Sequence, residues 1–364
     1  MTLMTLVYLV AGLVLLMGGA EVLVRGASKL AALFGIPSLV IGLTVVAFGT
    51  SAPETAVSVQ SAFSGSGDLA LGNVVGSNIA NVLLILGLTA MAAPLIVSRQ
   101  LIRLDVPLLI AAGLLVWGLG ANGVLSRLDG ALLFGCIVAY TLFMVISSLR
   151  ESRREAQTAR RENPDAEPAP SRTPMAWLKY LVMIVVGLVL LVAGSHFLVE
   201  GATALARALG LSDLVIGLTV VAVGTSLPEL ATSILAAVRG ERDIAVGNVV
   251  GSSLFNLLCV LGLASLVAPQ GIPVAASALV FDFPVMIAVS LACLPIFFTG
   301  YRIDRWEGLL FFAYYIAYTA YLVLYSTGQD SATLLGHALM FYALPLTAVT
   351  LVVLGVRALR SQQA

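Results

Sequence analysis

Charge is what this sequence has least of. Only 10% of its 364 residues are Asp, Glu, Lys or Arg, against 60% hydrophobic, and a water-soluble chain of this length could not cover its surface with so few. The 19 basic and 19 acidic residues cancel, which removes any electrostatic case for a nucleic-acid partner. Cysteine is scarce too: Cys136, Cys259 and Cys293 stand singly in apolar runs, without the spacing of a disulfide framework or zinc site. No nucleophile–base pair, metal triad or nucleotide-binding loop is visible, so neither an enzyme nor a prosthetic group is expected. The first apolar run lacks a basic start and a clear small-residue cleavage site, and reads as a membrane helix instead of a leader.

Long apolar runs take the place of charge. A window of about 20 residues, the length that crosses the hydrocarbon core, predicts eleven spans. They fall at 3–23, 38–63, 69–93, 104–120, 130–148, 176–199, 213–238, 244–268, 280–299, 306–325 and 334–356. One polar stretch, residues 150–174, is rich in charge, Pro and Ala and reads as a flexible linker between residues 1–149 and 175–326. Residues 327–364 hold the last span and a tail. Of the 19 Lys and Arg, 17 fall on the linker side of these spans; Arg127 and Arg207 fall on the other. The positive-inside rule then places the linker and C-terminus in the cytoplasm and the N-terminus outside, in a multi-pass protein of the inner (cytoplasmic) membrane surrounded by lipid.

The two halves repeat. Residues 37–88 align with 212–263 at a constant offset of 175 without a gap, and 31 of the 52 pairs are identical. The offset also relates Gly19 to Gly194, Gly26 to Gly201, Arg127 to Arg302 and Asp129 to Asp304. Each unit holds five spans, and an odd number makes the second copy enter the membrane in the opposite sense. The expected fold is therefore an all-α integral membrane protein of two inverted five-helix repeats plus one extra C-terminal helix. Transporters of that architecture place a substrate site near the midplane where the copies meet.

The most polar segments lie at the centre of apolar spans: Gly49-Thr50-Ser51-Ala52-Pro53-Glu54 and Gly224-Thr225-Ser226-Leu227-Pro228-Glu229. Each Pro lacks an N–H, so the carbonyl of Gly49 or Gly224, four residues earlier, loses its helical donor. Ala47, Thr50, Ser51 and Glu54 share one helical face, as do Ala222, Thr225, Ser226 and Glu229. An isolated membrane glutamate is as readily a snorkelling helix-end charge. Duplication beside a Pro at one depth argues for a shared centre instead. The next span of each repeat adds Asn73, Ser77 and Asn81, or Asn248, Ser252 and Asn256, spaced by four. A hard divalent cation wants six to eight oxygens. Two glutamates supply up to four, and backbone carbonyls near Thr50 and Thr225 can complete the set. Two ionised glutamates also neutralise one Ca²⁺ or two Na⁺.

Both segments resemble the paired GTSxPE signature of the sodium/calcium exchanger family, within the cation/calcium exchanger superfamily. The resemblance covers residues 1–325 and implies antiport of Na⁺ against Ca²⁺. It implies that Glu54, Glu229 and the carbonyls of Thr50 and Thr225 hold Ca²⁺. Ser51, Ser77, Ser226, Ser252 and the carbonyls of Ala47 and Ala222 then line flanking Na⁺ sites, with Asn81 and Asn256 bordering the centre. It also implies that the first span of each unit slides across the bundle. Potassium coupling is not expected, because some relatives have Asp where this chain has Asn256. The linker is too short for a large calcium-sensing domain. Calcium/proton exchange is the alternative within the class, since glutamates also carry protons. A passive channel or an intramembrane enzyme fits two isolated glutamates less well. Elsewhere, Glu21 is expected to pair with Arg25, His196 to be a packing residue, and Asp105 and Asp282 to mark span starts at the interface.

Overall fold

The computed structural model describes residues 3–162, 174–209, 222–298, 300–327, 329 and 331–338. The first repeat runs through α1 (Leu3–Phe34), α2 (Ser38–Thr50), α3 (Ala52–Phe63), α4 (Gly67–Ala92), α5 (Leu101–Gly120) and α6 (Arg127–Glu162). The second runs through α7 (Pro174–Ala208), α8 (Ala222–Gly224), α9 (Leu227–Val238), α10 (Arg242–Val267), α11 (Ala278–Phe298) and α12 (Arg305–Ser326). A short α13 (Ser331–Ala338) overlaps the start of the expected eleventh span. The rest of that span, the first part of span 213–238 and residues 163–173 of the polar linker lie outside the described residues; residues 150–162, expected as flexible linker, instead continue α6 as helix to Glu162. Among the described residues, eight helices are long and apolar enough to cross a membrane, or nine if α2 and α3 count as one broken span.

Burial sorts the helices into an inside and an outside. The most apolar windows of α4 and α10 are 83% and 89% buried, against 28% for α1 and α7, so the equivalent pair α4 and α10 forms the centre. Facing outward, α1 leaves Leu6, Val10, Leu13, Val14 and Met17 exposed, a surface that suits lipid and not water.

The repeats interlock instead of sitting side by side. The end of α4 packs on α12 of the other repeat, and the end of α10 packs on α6. In each contact the backbones nearly touch at glycines, Gly87 against Gly308 and Gly262 against Gly130. Four two-residue strands, which the all-helical expectation did not include, add a second tie. Strand β1 (Leu95–Ile96) pairs antiparallel with β4 (Arg302–Ile303), and β2 (Val124–Leu125) with β3 (Ile272–Pro273). Each pair joins a loop of one repeat to a loop of the other, satisfying backbone groups that the spans leave open.

The antiparallel contact between α1 and α7 follows from a glycine stripe. Gly12, Gly19 and Gly26 recur every seven residues, two helical turns, and their equivalents Gly187, Gly194 and Gly201 do the same. A Cβ on Gly19 would lie 2.8 Å from the Gly187 carbonyl oxygen, and one on Gly194 would lie 2.6 Å from the Leu16 nitrogen. Small residues are the packing device of membrane helices because lipid gives apolar side chains no reason to associate.

Glu21 pairs with Arg25 as expected, and also with Arg239, 2.7 Å away across the repeats. His196 is not packed inside: its side chain is 68% exposed and lies 3.5 Å from Glu200 one turn on. Asp105 does not mark the start of its helix, which begins at Leu101. It is fully buried and accepts hydrogen bonds from the Tyr140 hydroxyl at 3.0 Å and the Gln100 amide at 3.3 Å. Its Pro neighbour suggested a helix start, whereas the helix continues through a π-helical stretch, Leu101–Asp105, that turns the carboxylate inward.

The adjacent glycines of α1 give a test of this packing. A methyl group added at Gly18 would meet nothing within 4 Å, so Gly18→Ala should be neutral or slightly stabilising. Gly19→Ala should cost about 1–3 kcal/mol by overpacking, read as a lower thermal unfolding midpoint in detergent.

Candidate ion-binding site

The site begins with a broken helix. Helices α2 and α3 are bent by 47°, and the residue at the break, Ser51, has φ −80° and ψ 12°. Ser226, at the same place in the second repeat, has φ −88° and ψ 7°. Pro53 and Pro228 stand in the first turn of the following half-helix, where a missing N–H costs least. Glu54 and Glu229 come next, in that same first turn. The C-terminal carbonyls of one half-helix and the acidic first turn of the next thus meet at one place, an arrangement suited to cations.

The two glutamates are 0% and 1% exposed, and each is held by the other repeat. Ser226 donates its hydroxyl to Glu54 Oε1 at 3.0 Å, and Ser51 donates to Glu229 Oε1 at 3.1 Å. This exchange across the pseudo-twofold axis brings both carboxylates to the break between the half-helices. Thr225 lies beside Glu54, while Thr50 and Ser252 lie beside Glu229. The second oxygens, Glu54 Oε2 and Glu229 Oε2, are buried without a hydrogen-bond partner, as are Asn81 Oδ1 and Asn256 Oδ1. An orphaned buried acceptor costs about 1–3 kcal/mol, more when charged. Coordination to a hard cation is one way such oxygens escape that penalty. The described residues hold no cluster of three His, Cys, Asp or Glu, so the chemistry is that of carboxylate, hydroxyl, amide and carbonyl oxygen.

The remaining candidates divide by what they touch. The Thr50 hydroxyl contacts Ser252 Oγ at 3.4 Å and donates to Asn248 Oδ1 at 3.0 Å. Ser77 is buried on α4, one turn before Asn81. The Ala47 carbonyl accepts the Ser51 N–H at 3.0 Å and has the Thr50 hydroxyl 3.4 Å away, as the alternative acceptor for the proton that Thr50 can give to Asn248. Ala222 opens α8, on the edge of the described residues. Asn81 and the Asn256 segment begin π-helical stretches, Asn81–Leu86 and Phe255–Val260, which widen α4 and α10 at these buried amides.

Asn73 and Asn248 act as braces. Asn73 donates to the Glu54 carbonyl at 3.3 Å and to Ser58 at 2.9 Å; Asn248 donates to the Glu229 carbonyl at 3.3 Å and to Ser233 at 3.0 Å. Ser58 and Ser233 escaped the sequence reading, although both lie four residues after the glutamates and repeat at the same offset. Ser195 escaped it for a different reason. Its hydroxyl reaches from α7 to the Gly224 carbonyl at 2.5 Å, the group that Pro228 deprives of a donor. The equivalent residue in the first repeat is Ala20, so repetition gave no hint of it.

The family described as "Sodium/calcium exchanger protein" matches residues 4–147 and 179–324, which together take in both repeats and every side chain of the site. The chain belongs to the sodium/calcium exchanger family. Sodium/calcium exchanger MaX1 of Methanosarcina acetivorans is 34% identical over 341 residues, covering 86% of this chain and 97% of that protein. Inner membrane protein YrbG of Escherichia coli is 40% identical over 284 residues, 78% of this chain and 85% of that one. A solved structure of the sodium-calcium exchanger NCX_Mj, soaked with zero Na⁺ and Ca²⁺, superposes with a TM-score of 0.74 at 32% identity, covering 88% of this chain and 100% of the other. This family member is thus a multi-pass membrane exchanger of cations with two inverted repeats, and not an enzyme.

Removing the Ser195 hydroxyl should leave the Gly224 carbonyl buried and unpaired. Ser195→Ala should therefore lower stability by about 1–3 kcal/mol in detergent unfolding. Adding Pro228→Ala, which restores a backbone N–H to that carbonyl, should recover part of the loss, so the two effects should not add.

Proposed function

We propose that this exchanger couples Na⁺ to Ca²⁺ and that Ca²⁺ is held between Glu54 and Glu229 with the carbonyls of Thr50 and Thr225. The observation that carries the reading is the reciprocal bonding of the carboxylates, each by the serine of the opposite half-helix, with two oxygens left unpaired in the centre. Ca²⁺ binds those oxygens and neutralises both charges. Na⁺ ions do the same in the other half of the cycle, using Ser51, Ser77 and Ala47 on one flank and Ser226, Ser252 and Ala222 on the other. Asn81 and Asn256 contribute neutral oxygens. Names borne by relatives of similar length, MaX1 and NCX_Mj, support Na⁺ over H⁺ as the coupling ion.

The cycle alternates access between two sides, because a cargo-free site would carry two unpaired anions through the bilayer. One buried acid costs about 2.5–3.5 kcal/mol at the centre of a membrane helix. The division into residues 1–149, 150–174, 175–326 and 327–364 follows the repeat, with the linker and C-terminus cytoplasmic and the N-terminus outside the inner membrane. A net charge crossing in each turnover makes the cycle sensitive to voltage, by about 2.3 kcal/mol per charge per 100 mV.

Flux into proteoliposomes tests the coupling. Protein in sodium-loaded vesicles should take up Ca²⁺ when external Na⁺ is removed, and uptake should ignore imposed K⁺ and pH gradients. Calcium flux that follows the pH gradient and is indifferent to Na⁺ would transfer the coupling to H⁺. Glu54→Gln and Glu229→Gln should each abolish Ca²⁺ uptake, to below about 1% of the parent, while leaving membrane insertion intact.

A further inference from the structure

A second polar feature lies far from the carboxylates, at the end of the bundle where β1 meets β4. A pocket of about 370 Å³ is lined there by Pro94, Ile96, Arg242, Gly300, Tyr301 and Arg302. A third arginine borders it, since the Arg99 guanidinium sits 5.7 Å from the centre of the Tyr301 ring. The pocket is thus built from loops of both repeats and the first residue of α10, whose N-terminal N–H groups add a partial positive charge.

Its charge is only partly compensated. Arg302 pairs with Asp304 at 2.7 Å, and Asp304 is engaged in the capping box that starts α12. Arg242 is flanked in sequence by two acids, yet neither serves it. Glu241 accepts a hydrogen bond from Ser28 at 2.5 Å, and Asp243 is bonded by Ser38. Arg242 Nε is left buried with no hydrogen-bond partner, the state of a guanidinium fork awaiting an acceptor. Tyr301 adds a sign of strain, with φ 54°, a left-handed conformation uncommon for a bulky residue and here the one non-glycine case among the described residues. Its carbonyl is pinned by the Val97 N–H at 2.8 Å, which fixes the loop around the pocket.

We propose that this pocket binds a phosphate group, with Arg242 and Arg302 as its ligands. A planar guanidinium matches phosphate oxygens in pairs, and basic pockets between span ends are a recurrent place for anionic headgroups. Two sources share that chemistry, the phosphodiester of an anionic lipid and free phosphate. The lipid fits the surroundings better, because Ile96, 52% exposed, lines the same pocket and offers an apolar surface beside the arginines. The site is independent of the ion centre and of which ion drives transport.

The test uses the full chain in non-ionic detergent. Native mass spectrometry with added phosphatidylglycerol or phosphatidylcholine should show the anionic lipid retained about tenfold better, the worth of one charge-assisted hydrogen bond. Arg242→Gln should erase that preference, and Arg242→Lys should keep part of it. Calorimetric titration with inorganic phosphate reads the other source: saturable binding lost in Arg242→Gln assigns the pocket to soluble phosphate. Equal lipid retention and equal phosphate binding in parent and variant, at matched thermal midpoints, overturn the proposal. Should Arg242→Gln not fold, Arg302→Gln is read in the same way.

Discussion

The structure turns on two buried carboxylates, Glu54 and Glu229, each bonded by a serine of the other repeat. Ionised, they repel, and at 0% and 1% exposure the repulsion is poorly screened. A soluble protein would separate such groups or give one a basic partner. Here each receives a single hydroxyl, from Ser51 or Ser226, and keeps one oxygen unpaired. Such a pair favours a bound cation or a proton, either of which relieves the repulsion. That preference fits the cation exchange of the family to which the chain belongs.

The inverted repeat is the simplest way to build such a pair. A single helix can present one glutamate at the membrane centre, and a second copy of opposite sense presents another at the same depth. The interlocking of α4 on α12 and α10 on α6, with the cross-repeat pairing of β1 with β4 and β2 with β3, holds the copies in register. The symmetry is incomplete, however. Ser195 caps the Gly224 carbonyl while Ala20 offers nothing to Gly49. Ser253 accepts from the Asn81 amide at 3.3 Å, whereas its equivalent Asn78 spends its own amide on the Val74 carbonyl and leaves Asn256 without a partner. The environments of the two amides therefore differ, and so do the energies of the two half-sites.

Duplication explains why so much was legible in the sequence. The offset of 175 marked the broken helices, the glutamates, their serines and the asparagine ladders from the residues alone, because each appears twice. What the sequence hid was of two kinds. Features present once, such as Ser195, had no echo to raise them above the many membrane serines that bridge helices. Features of backbone geometry had no residue signature: the π-helical widening at Asn81 and Asn256, and the inward turn of Asp105, depend on where a helix gains one residue per turn. The role of Asn73 and Asn248 falls between these. Their spacing was visible, but only the distances show that they brace the glutamate carbonyls.

The contact between α1 and α7 differs in kind from the rest of the bundle. Elsewhere bulky side chains interdigitate, as Leu86, Ile85 and Phe283 do in a core with almost no exposure, and displacement would open cavities. Along the glycine stripe the facing surfaces are backbone, so the two helices form a closely fitted pair, while Leu188 and Val199 of α7 pack against Gly49 and Gly224 of the broken helices. The family resemblance implies that these two spans slide together across the bundle. Such a movement would keep the glycine contact whole and break the bonds that tie the pair to its surroundings, chiefly Ser195 to Gly224, Ser28 to Glu241 and Glu21 to Arg239. Each is worth about 1 kcal/mol net, a barrier set by a few polar contacts that water or an incoming ion can replace. A fold in which the moving pair were locked by interdigitated side chains would have to repack its core in every cycle.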